Sequence, residues 1–330
     1  MTRTLRSYAP ELLLVALIVL AAMWSSTLSP YFLNAVNLLG AAQFFVIFVL
    51  MAFGLFPIVV QGEIDISLAS TLAVGAVLMA EMSVAGVPLL LALVVTLAVT
   101  AVLGAINGVL VAYLRLPSLA VTLGTMGAYR GIAYLIAGDA GVTGITPEYL
   151  LLGSSWVGIV PSTVILALVV AAAFWVLMSR TSFGRYSYAI GASPDAARMA
   201  AVPVHRLRVG AYALAGAMAG LAGMVWVSQY QSARGDNADG AILFVLTAVV
   251  LGGVSIKGGS GKAEGVLLAT VRLGTIQTGM QLANVPGTSQ RLVVGALLIA
   301  SIGAPRVVHL IRHAAAATRR RSHAGTAAER

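Results

Sequence analysis

Two carboxylates lie beside a glycine in Gly62-Glu63-Ile64-Asp65-Ile66-Ser67, between two long apolar runs. A charged side chain in an apolar span costs about 2.5–3.5 kcal/mol and usually serves a function. Asp65 or Ser67 can cap the helix that follows, and the acids can also line a path for a solute. A glycosidase-like or protease-like pair is not expected, because one residue separates the acids and no catalytic partner accompanies them.

Glycines are dense between residues 252 and 261, a pattern that superficially indicates a phosphate-binding loop. That motif requires Ser or Thr after its lysine, whereas Ala263 follows Lys262 here. A sharp turn between closely packed helices is the expected role instead. The glycines concerned are Gly252, Gly253, Gly258, Gly259 and Gly261.

Other site chemistries lack the necessary residues. The chain has no cysteine, which excludes disulfides, thiolate ligands and thiol catalysis. His309 and His313 have helical spacing but no third ligand, so we expect no metal, and we expect no cofactor or catalytic site. Polar residues within the apolar runs are expected to bond neighbouring helices or to line a solute path; among them are Asn107, Thr122 and Thr125.

The composition identifies the environment in which these residues lie. Of 330 residues, 59% are hydrophobic and 9% are charged, against about 25% charged in soluble domains. Apolar runs long enough to cross about 30 Å of hydrocarbon recur along the chain. They predict an all-α polytopic membrane protein with about ten spans, near 11–29, 43–60, 67–85, 88–112, 118–137, 161–178, 208–229, 241–256, 263–281 and 290–311.

The distribution of cations predicts the orientation. With both termini in the cytosol, sixteen of the twenty Lys and Arg residues lie inside, so the net charge of +9 sets topology and needs no nucleic acid. Arg130 and Arg272 fall within spans, where a guanidinium needs a carboxylate, an aqueous cavity or a route to the interface. The predicted organisation is a cytosolic tail over 1–10, a membrane domain over 11–311 and a basic, disordered tail over 312–330 that contacts lipid headgroups.

Two pairs of segments indicate an internal repeat. Residues 59–67 align with 249–257, and 104–108 resemble 274–279. Internal repeats are common in transporters, although matches as short as these also arise by chance.

The segment from 179 to 208 is a basic island in an apolar chain. Ser193 can cap a helix, Pro194 suits its first position, and Asp195 favours the positive end of its dipole. Pro203 is expected to end this helix after about two turns, over 193–201. A short capped helix between membrane spans predicts a docking device.

Three segments carry a resemblance to a known family: 62–67, 184–204 and 248–261. Over residues 35–305 the chain resembles permease subunits of bacterial ATP-binding cassette importers, in the branch that carries ribose, rhamnose and autoinducer-2. The residues of the loops at 234–236 and 284–290 are most similar to those of the rhamnose and autoinducer-2 members. Ala201 is a departure, since relatives often have glycine there.

The resemblance implies a function and a set of partners. The chain would form the path of a monosaccharide through the bacterial plasma membrane, with a rhamnose-like deoxyhexose as the first choice and ribose or autoinducer-2 as alternatives. A separate cytosolic ATPase would hydrolyse ATP, a periplasmic or lipid-anchored binding protein would deliver the solute, and a second permease subunit would complete a homo- or heterodimer. The implied ATPase-coupling residues are Gly184, Arg185, Gly191, Ser193, Pro194, Asp195, Ala196, Arg198, Val202 and Pro203.

An ion-coupled secondary carrier is the competing interpretation. Such a carrier would also have about ten spans and broken helices. It would be expected to carry carboxylates in mid-span, whereas the acids here mostly fall at loops.

Overall fold

The computed structural model describes residues 9–301 and 303, with side chains from residue 15 onward. Its helices are α1 (Ala9–Leu28), α2 (Ala35–Val60), α3 (Leu68–Val84), α4 (Leu89–Ala112), α5 (Ser118–Ala137), α6 (Pro147–Ser154), α7 (Ser162–Arg180), α8 (Ser182–Ala192), α9 (Pro194–Met199), α10 (Val204–Tyr230), α11 (Ala241–Leu251) and α12 (Ala263–Leu282). The chain is helical again over 287–301. Two strands of two residues, β1 (Trp156–Val157) and β2 (Val160–Pro161), form an antiparallel hairpin.

The predicted all-α polytopic fold is confirmed. Five helices (α2, α4, α5, α7 and α10) are long and apolar enough to cross a membrane, and shorter apolar stretches lie in α1, α3 and α11. The ten predicted spans agree with α1–α5, α7, α10–α12 and the stretch 287–301. The two predicted tails fall almost wholly outside the described residues, as do His309 and His313.

Three helix assignments differ from the sequence prediction. α2 begins eight residues early, because Asn34 caps it by accepting the Val36 N–H at 2.9 Å. α6, with Pro147 at its start, and α8 were not predicted, since each is short and lies between the spans.

The core lies around α2 and α10. Every residue of α2 from Val49 to Val60 is buried. α10 packs against α4 through small residues: a Cβ on Gly216 would overlap the Thr100 carbonyl group, and one on Gly104 would overlap that of Tyr212. Such close approach strengthens the packing of helices that lack a hydrophobic driving force in lipid.

Arg130 has a structural partner that the sequence did not reveal. α11 has eleven residues, about 16 Å at 1.5 Å per residue, and the chain before it, over 231–240, is irregular. The Arg130 guanidinium donates to the carbonyl oxygens of Gly235 at 2.6 Å and Asn237 at 2.8 Å. It therefore satisfies backbone groups that would otherwise have no partner beside the bilayer. Arg272 differs, because its buried Nε has no hydrogen-bond partner in the described chain.

Candidate functional site

Three segments that are distant in sequence meet at one end of the bundle, which we call the basic end: the loop 61–67, helix α8 and the glycine loop 252–262. The Gly259 N–H donates to the Val60 carbonyl oxygen at 2.9 Å. Gly191, near the end of α8, covers this bond so closely that a Cβ there would overlap both the Val60 oxygen and the Gly259 nitrogen. Two of the predicted motifs and the basic island thus share one backbone junction.

Side chains of α8 also bind both loops. The amide of Gln61, 2% exposed, donates to the Ser187 hydroxyl at 3.1 Å. The Tyr188 hydroxyl donates to the Gly261 carbonyl oxygen at 2.8 Å. Burial raises the pKa of Tyr188, and the nearby Glu264 carboxylate acts in the same direction, so this phenol stays protonated and remains a donor. The sequence analysis missed Gln61, Ser187 and Tyr188, because nothing in their spacing indicates a shared contact.

The two loops end their preceding helices in the same way. Gly62 at φ 79° follows α2, and Gly253 at φ 85° follows α11. In each loop the glycine N–H and the next N–H bond back to the last turn of the helix, at 2.9–3.1 Å after α2 and 2.9–3.3 Å after α11. This is the Schellman motif, which needs a left-handed residue at the position of the glycine. The structure thus pairs Gly62 with Gly253, whereas the predicted repeat pairs Gly62 with Gly252, and the repeat itself stays a prediction.

Asp65 begins a buried hydrogen-bond network. Its carboxylate accepts the Ser67 N–H at 2.8 Å and the Ser67 hydroxyl at 2.6 Å. The Ser67 hydroxyl accepts from the Asn107 amide at 2.9 Å, and the Asn107 oxygen accepts from the Tyr129 hydroxyl at 3.2 Å. Asp65 therefore holds Ser67, which occupies the N-cap position of α3 without a side-chain cap bond, so neither residue forms the predicted cap to an N–H of the helix.

Glu63 is paired and only slightly exposed. Its carboxylate lies 2.9 Å from the Arg208 guanidinium, and the two side chains are 16% and 14% exposed. The pair ties the loop 61–67 to the first turns of α10.

Thr122 and Thr125 of α5 donate to carbonyl oxygens of their own helix, at 2.9 Å and 3.1 Å. These hydrogen bonds and the ion pair give the polar groups structural partners within the bundle.

Helix α9 begins with the predicted cap. The Ser193 hydroxyl accepts the Ala196 N–H at 3.3 Å, and Pro194 occupies the first position. Asp195 accepts from Arg198 at 2.6 Å on the exposed face. The island forms two helices, α8 and α9, where the sequence analysis predicted one.

The sequence analysis gave the wrong cause for the end of α9, which it assigned to Pro203. Ala201 adopts a left-handed φ of 57°, and its N–H donates to the Arg198 carbonyl oxygen at 3.0 Å. The Val202 N–H donates to the Ala197 carbonyl oxygen, also at 3.0 Å. A Schellman motif therefore ends the helix before Pro203, which instead precedes α10.

The remaining predicted residues also lie at the basic end. Gly184 is buried against the Met178 backbone, where a Cβ would overlap it, and Arg185 is exposed. A Cβ on Gly252 would fall 2.7 Å from the backbone of Gly265 in α12, and Gly258 approaches Gly191. No cluster of three or more His, Cys, Asp or Glu side chains in the described part of the chain is placed to hold a metal.

A bundle of apolar helices, irregular before α11 and joined by loops that pack together at one end, defines a polytopic membrane protein. The profile of the family described as "Branched-chain amino acid transport system / permease component" matches residues 37–302, and the chain belongs to this family. It is thus a permease subunit of the ATP-binding cassette importer family in the bacterial inner membrane, a transporter rather than an enzyme.

Individual relatives agree with this assignment. The autoinducer 2 import system permease protein LsrD of Salmonella typhimurium is 36% identical over 315 residues, which cover 93% of this chain and 94% of the relative. LsrD of Escherichia coli K12 is 34% identical over 298 residues, 88% and 90% of the two chains. No solved structure gives a significant match.

Proposed function

We propose that the chain forms one half of the path of an ATP-driven importer for a monosaccharide-like solute. The similarity over 93% of the chain to permeases named for autoinducer-2 puts that solute first, ahead of rhamnose and ribose. Coupling of an ATPase to the membrane helices is supported by one observation, the junction of Gly191, Val60 and Gly259. This junction joins the basic island to the membrane helices.

The junction supplies a mechanical route. α8 is bound to the loop between α2 and α3 through Gln61 and to the loop between α11 and α12 through Tyr188. Because one of these hydrogen bonds is buried and the other is partly buried, a displacement of α8 moves the basic ends of four membrane helices together. Such a displacement is what an ATPase would have to produce to open or close a path.

Helix α9 is the proposed contact with the ATPase. Its buried Ala197 packs on Ile190 of α8 and Val204 of α10, which leaves the opposite face outward. That face presents Ala196 and Met199, and Met199 is 89% exposed. A rigid six-residue helix with a small and a flexible apolar residue outward fits a groove on a partner protein.

The other partners follow from the family. A periplasmic or lipid-anchored solute-binding protein would deliver the solute to the end opposite α9. A second permease subunit, either identical or similar, would complete the path. Lys257 is exposed in the glycine loop and would contact anionic lipid headgroups.

Uptake by the reconstituted importer tests this proposal. Autoinducer-2, L-rhamnose and D-ribose are offered to proteoliposomes containing the chain, its ATPase, its partner permease and its binding protein. We expect ATP-dependent uptake that Ala196→Trp abolishes and Ile159→Trp retains, because Ile159 is exposed in the β1–β2 hairpin. Uptake driven by an ion gradient without ATP would contradict the proposal and favour a secondary carrier.

A further inference from the structure

A cavity of about 360 Å³ lies at the end of the bundle opposite the basic end. It is lined by α2, α10, α11, α12, the segment before α11 and the helical stretch 287–301, and it is open on one side. This volume is within the range of about 300–1,000 Å³ that is typical of small-molecule sites. Ile47 and Phe244 form a buried floor, and Asp239, Gln281 and Arg291 form an exposed rim. The cavity is therefore apolar inside and polar at its mouth.

Most polar side chains around this cavity lack a hydrogen-bond partner among the described residues, although the Gln290 amide in its wall donates to the Val285 carbonyl oxygen at 2.9 Å. The Oε1 atom of Gln277 is buried and accepts no hydrogen bond in the described chain. Within the same residues, the side chains of Trp226, Tyr230 and Gln281 form no hydrogen bond, and Asp239 and Arg291 form no side-chain hydrogen bond or ion pair.

Glutamines elsewhere in the bundle behave differently. The amide of Gln43 donates to the Gly153 carbonyl oxygen, and that of Gln229 donates to the Gln43 carbonyl oxygen at 2.8 Å. The amide of Gln61 donates to Ser187. A buried polar group without a partner costs about 1–3 kcal/mol. Unlike other buried unpaired atoms such as Arg272 Nε, the unpaired oxygen of Gln277 belongs to a residue that lines a cavity, where a ligand can donate to it.

The chemistry of the wall selects an uncharged, polyhydroxylated solute. The half-buried polar groups of the wall are neutral, namely the Gln277 amide and the Trp226 indole, and the more exposed Tyr230 hydroxyl is neutral as well. The aromatic rings of Trp226 and Tyr230 are 4.6 Å apart and offer apolar surface to the C–H face of a sugar-like ring. The two charged side chains that line the cavity, Asp239 and Arg291, lie on its exposed rim, so a zwitterionic amino acid that reached the Gln277 amide would leave both of them behind and bury its own charges.

We propose that this cavity is a transient binding site within the permease for an uncharged polyhydroxylated solute, held by Gln277 and the Trp226–Tyr230 pair. The inference rests on the proposed function, since the solute arrives here from the extracytoplasmic side during import. Binding weak enough to be reversible suits a site from which the solute must move on.

Protection of a single cysteine tests the site directly, because the chain contains no cysteine. Gly287→Cys places a thiol on the rim, where an added Cβ meets no atom within 4 Å. Ile159→Cys, in an exposed hairpin outside the cavity, is the control. The permease complex with its ATPase, without the binding protein, is labelled in nanodiscs with a fluorescent maleimide. The added solutes are autoinducer-2, L-rhamnose, D-ribose and L-leucine.

The hydroxylated solutes should slow labelling of Gly287→Cys saturably, and leucine should not. Adding Gln277→Leu should raise the half-protective concentration about three- to tenfold, as expected for one lost neutral hydrogen bond. Thr275→Val on the same helix should leave the half-protective concentration unchanged, since the Thr275 hydroxyl donates to the Val271 carbonyl oxygen of its own helix. Gln277→Leu should also keep or raise the melting temperature, because it removes an unpaired buried oxygen.

Failure of the site can be separated from failure of the proposed function. Absence of protection, equal protection of Ile159→Cys, or protection that Gln277→Leu does not change would each overturn the site, even where ATP-dependent uptake is intact. Stronger protection by leucine would overturn its proposed specificity. Protection by the hydroxylated solutes in a complex that shows no ATP-dependent uptake would support the site and contradict the proposed function.

Discussion

Gly191 of α8 packs against the Val60 carbonyl group with no room for a methyl group between them. The same carbonyl oxygen accepts the Gly259 N–H at 2.9 Å. Three segments separated by more than sixty residues in sequence are thereby joined at backbone level, where side-chain rearrangement cannot relieve a misfit. The junction gives the basic island a rigid connection to the membrane helices.

Gly191→Ala should disturb this junction. The methyl group would overlap two backbone atoms, and overpacking of this kind costs about 1–3 kcal/mol. We expect a lower melting temperature and reduced ATP-dependent uptake. Gly210→Ala in α10 is the matched control, because its Cβ would meet only the Phe183 ring at 3.9 Å. Equal stability and uptake of the two variants would show that the junction is not tight.

Asp65→Ala should destabilise the start of α3. It removes the acceptor of both the Ser67 N–H and the Ser67 hydroxyl, and a buried donor without a partner costs about 1–3 kcal/mol. Asp65→Asn keeps an oxygen acceptor at the same position, so its melting temperature should fall less than that of Asp65→Ala. Thermal unfolding of the three proteins in detergent measures the difference, and an Asn variant as unstable as the Ala variant would contradict the role of Asp65 as the acceptor for Ser67.

Arg130→Met should destabilise the broken segment before α11. Two carbonyl oxygens would lose a charged donor, and such bonds contribute about 1.5–3 kcal/mol each. Arg234→Met, which breaks an exposed pair with Asp236, should cost no more than about 1 kcal/mol. Proteolysis within 231–240 would report the local loosening, and cleavage at the same rate in both variants would refute the role of Arg130.

Ala201→Gly should stabilise the end of α9. A left-handed conformation costs a residue with a Cβ about 1–2 kcal/mol, and glycine avoids most of this strain. The melting temperature should rise, by less than this strain alone implies because glycine also increases the conformational entropy of the unfolded chain. A clear fall would show that the Ala201 side chain makes a contact of its own.

The sequence alone predicted the positions of the apolar helices and the start of the short helix α9. Hydropathy located the ten spans, and the order Ser193-Pro194-Asp195 located the start of α9, because both depend on neighbouring residues. The contacts of Gln61 with Ser187 and of Arg130 with Asn237 join residues more than a hundred positions apart. Such contacts depend on helix packing, and in a chain that is apolar throughout, periodicity does not separate faces that meet lipid from faces that meet protein.

We infer that α9 lies at the cytosolic face and contacts the ATPase. Ala196→Cys introduces a single thiol on the exposed face of α9, and Ile159→Cys serves as the control at the other end. Labelling with a membrane-impermeant maleimide is compared in inside-out and right-side-out vesicles, with and without the ATPase. The account predicts that Ala196→Cys reacts only in inside-out vesicles and that the ATPase slows its labelling, while Ile159→Cys reacts only in right-side-out vesicles. Labelling of Ala196→Cys only from the right-side-out side, or at a rate that the ATPase does not change, would contradict it.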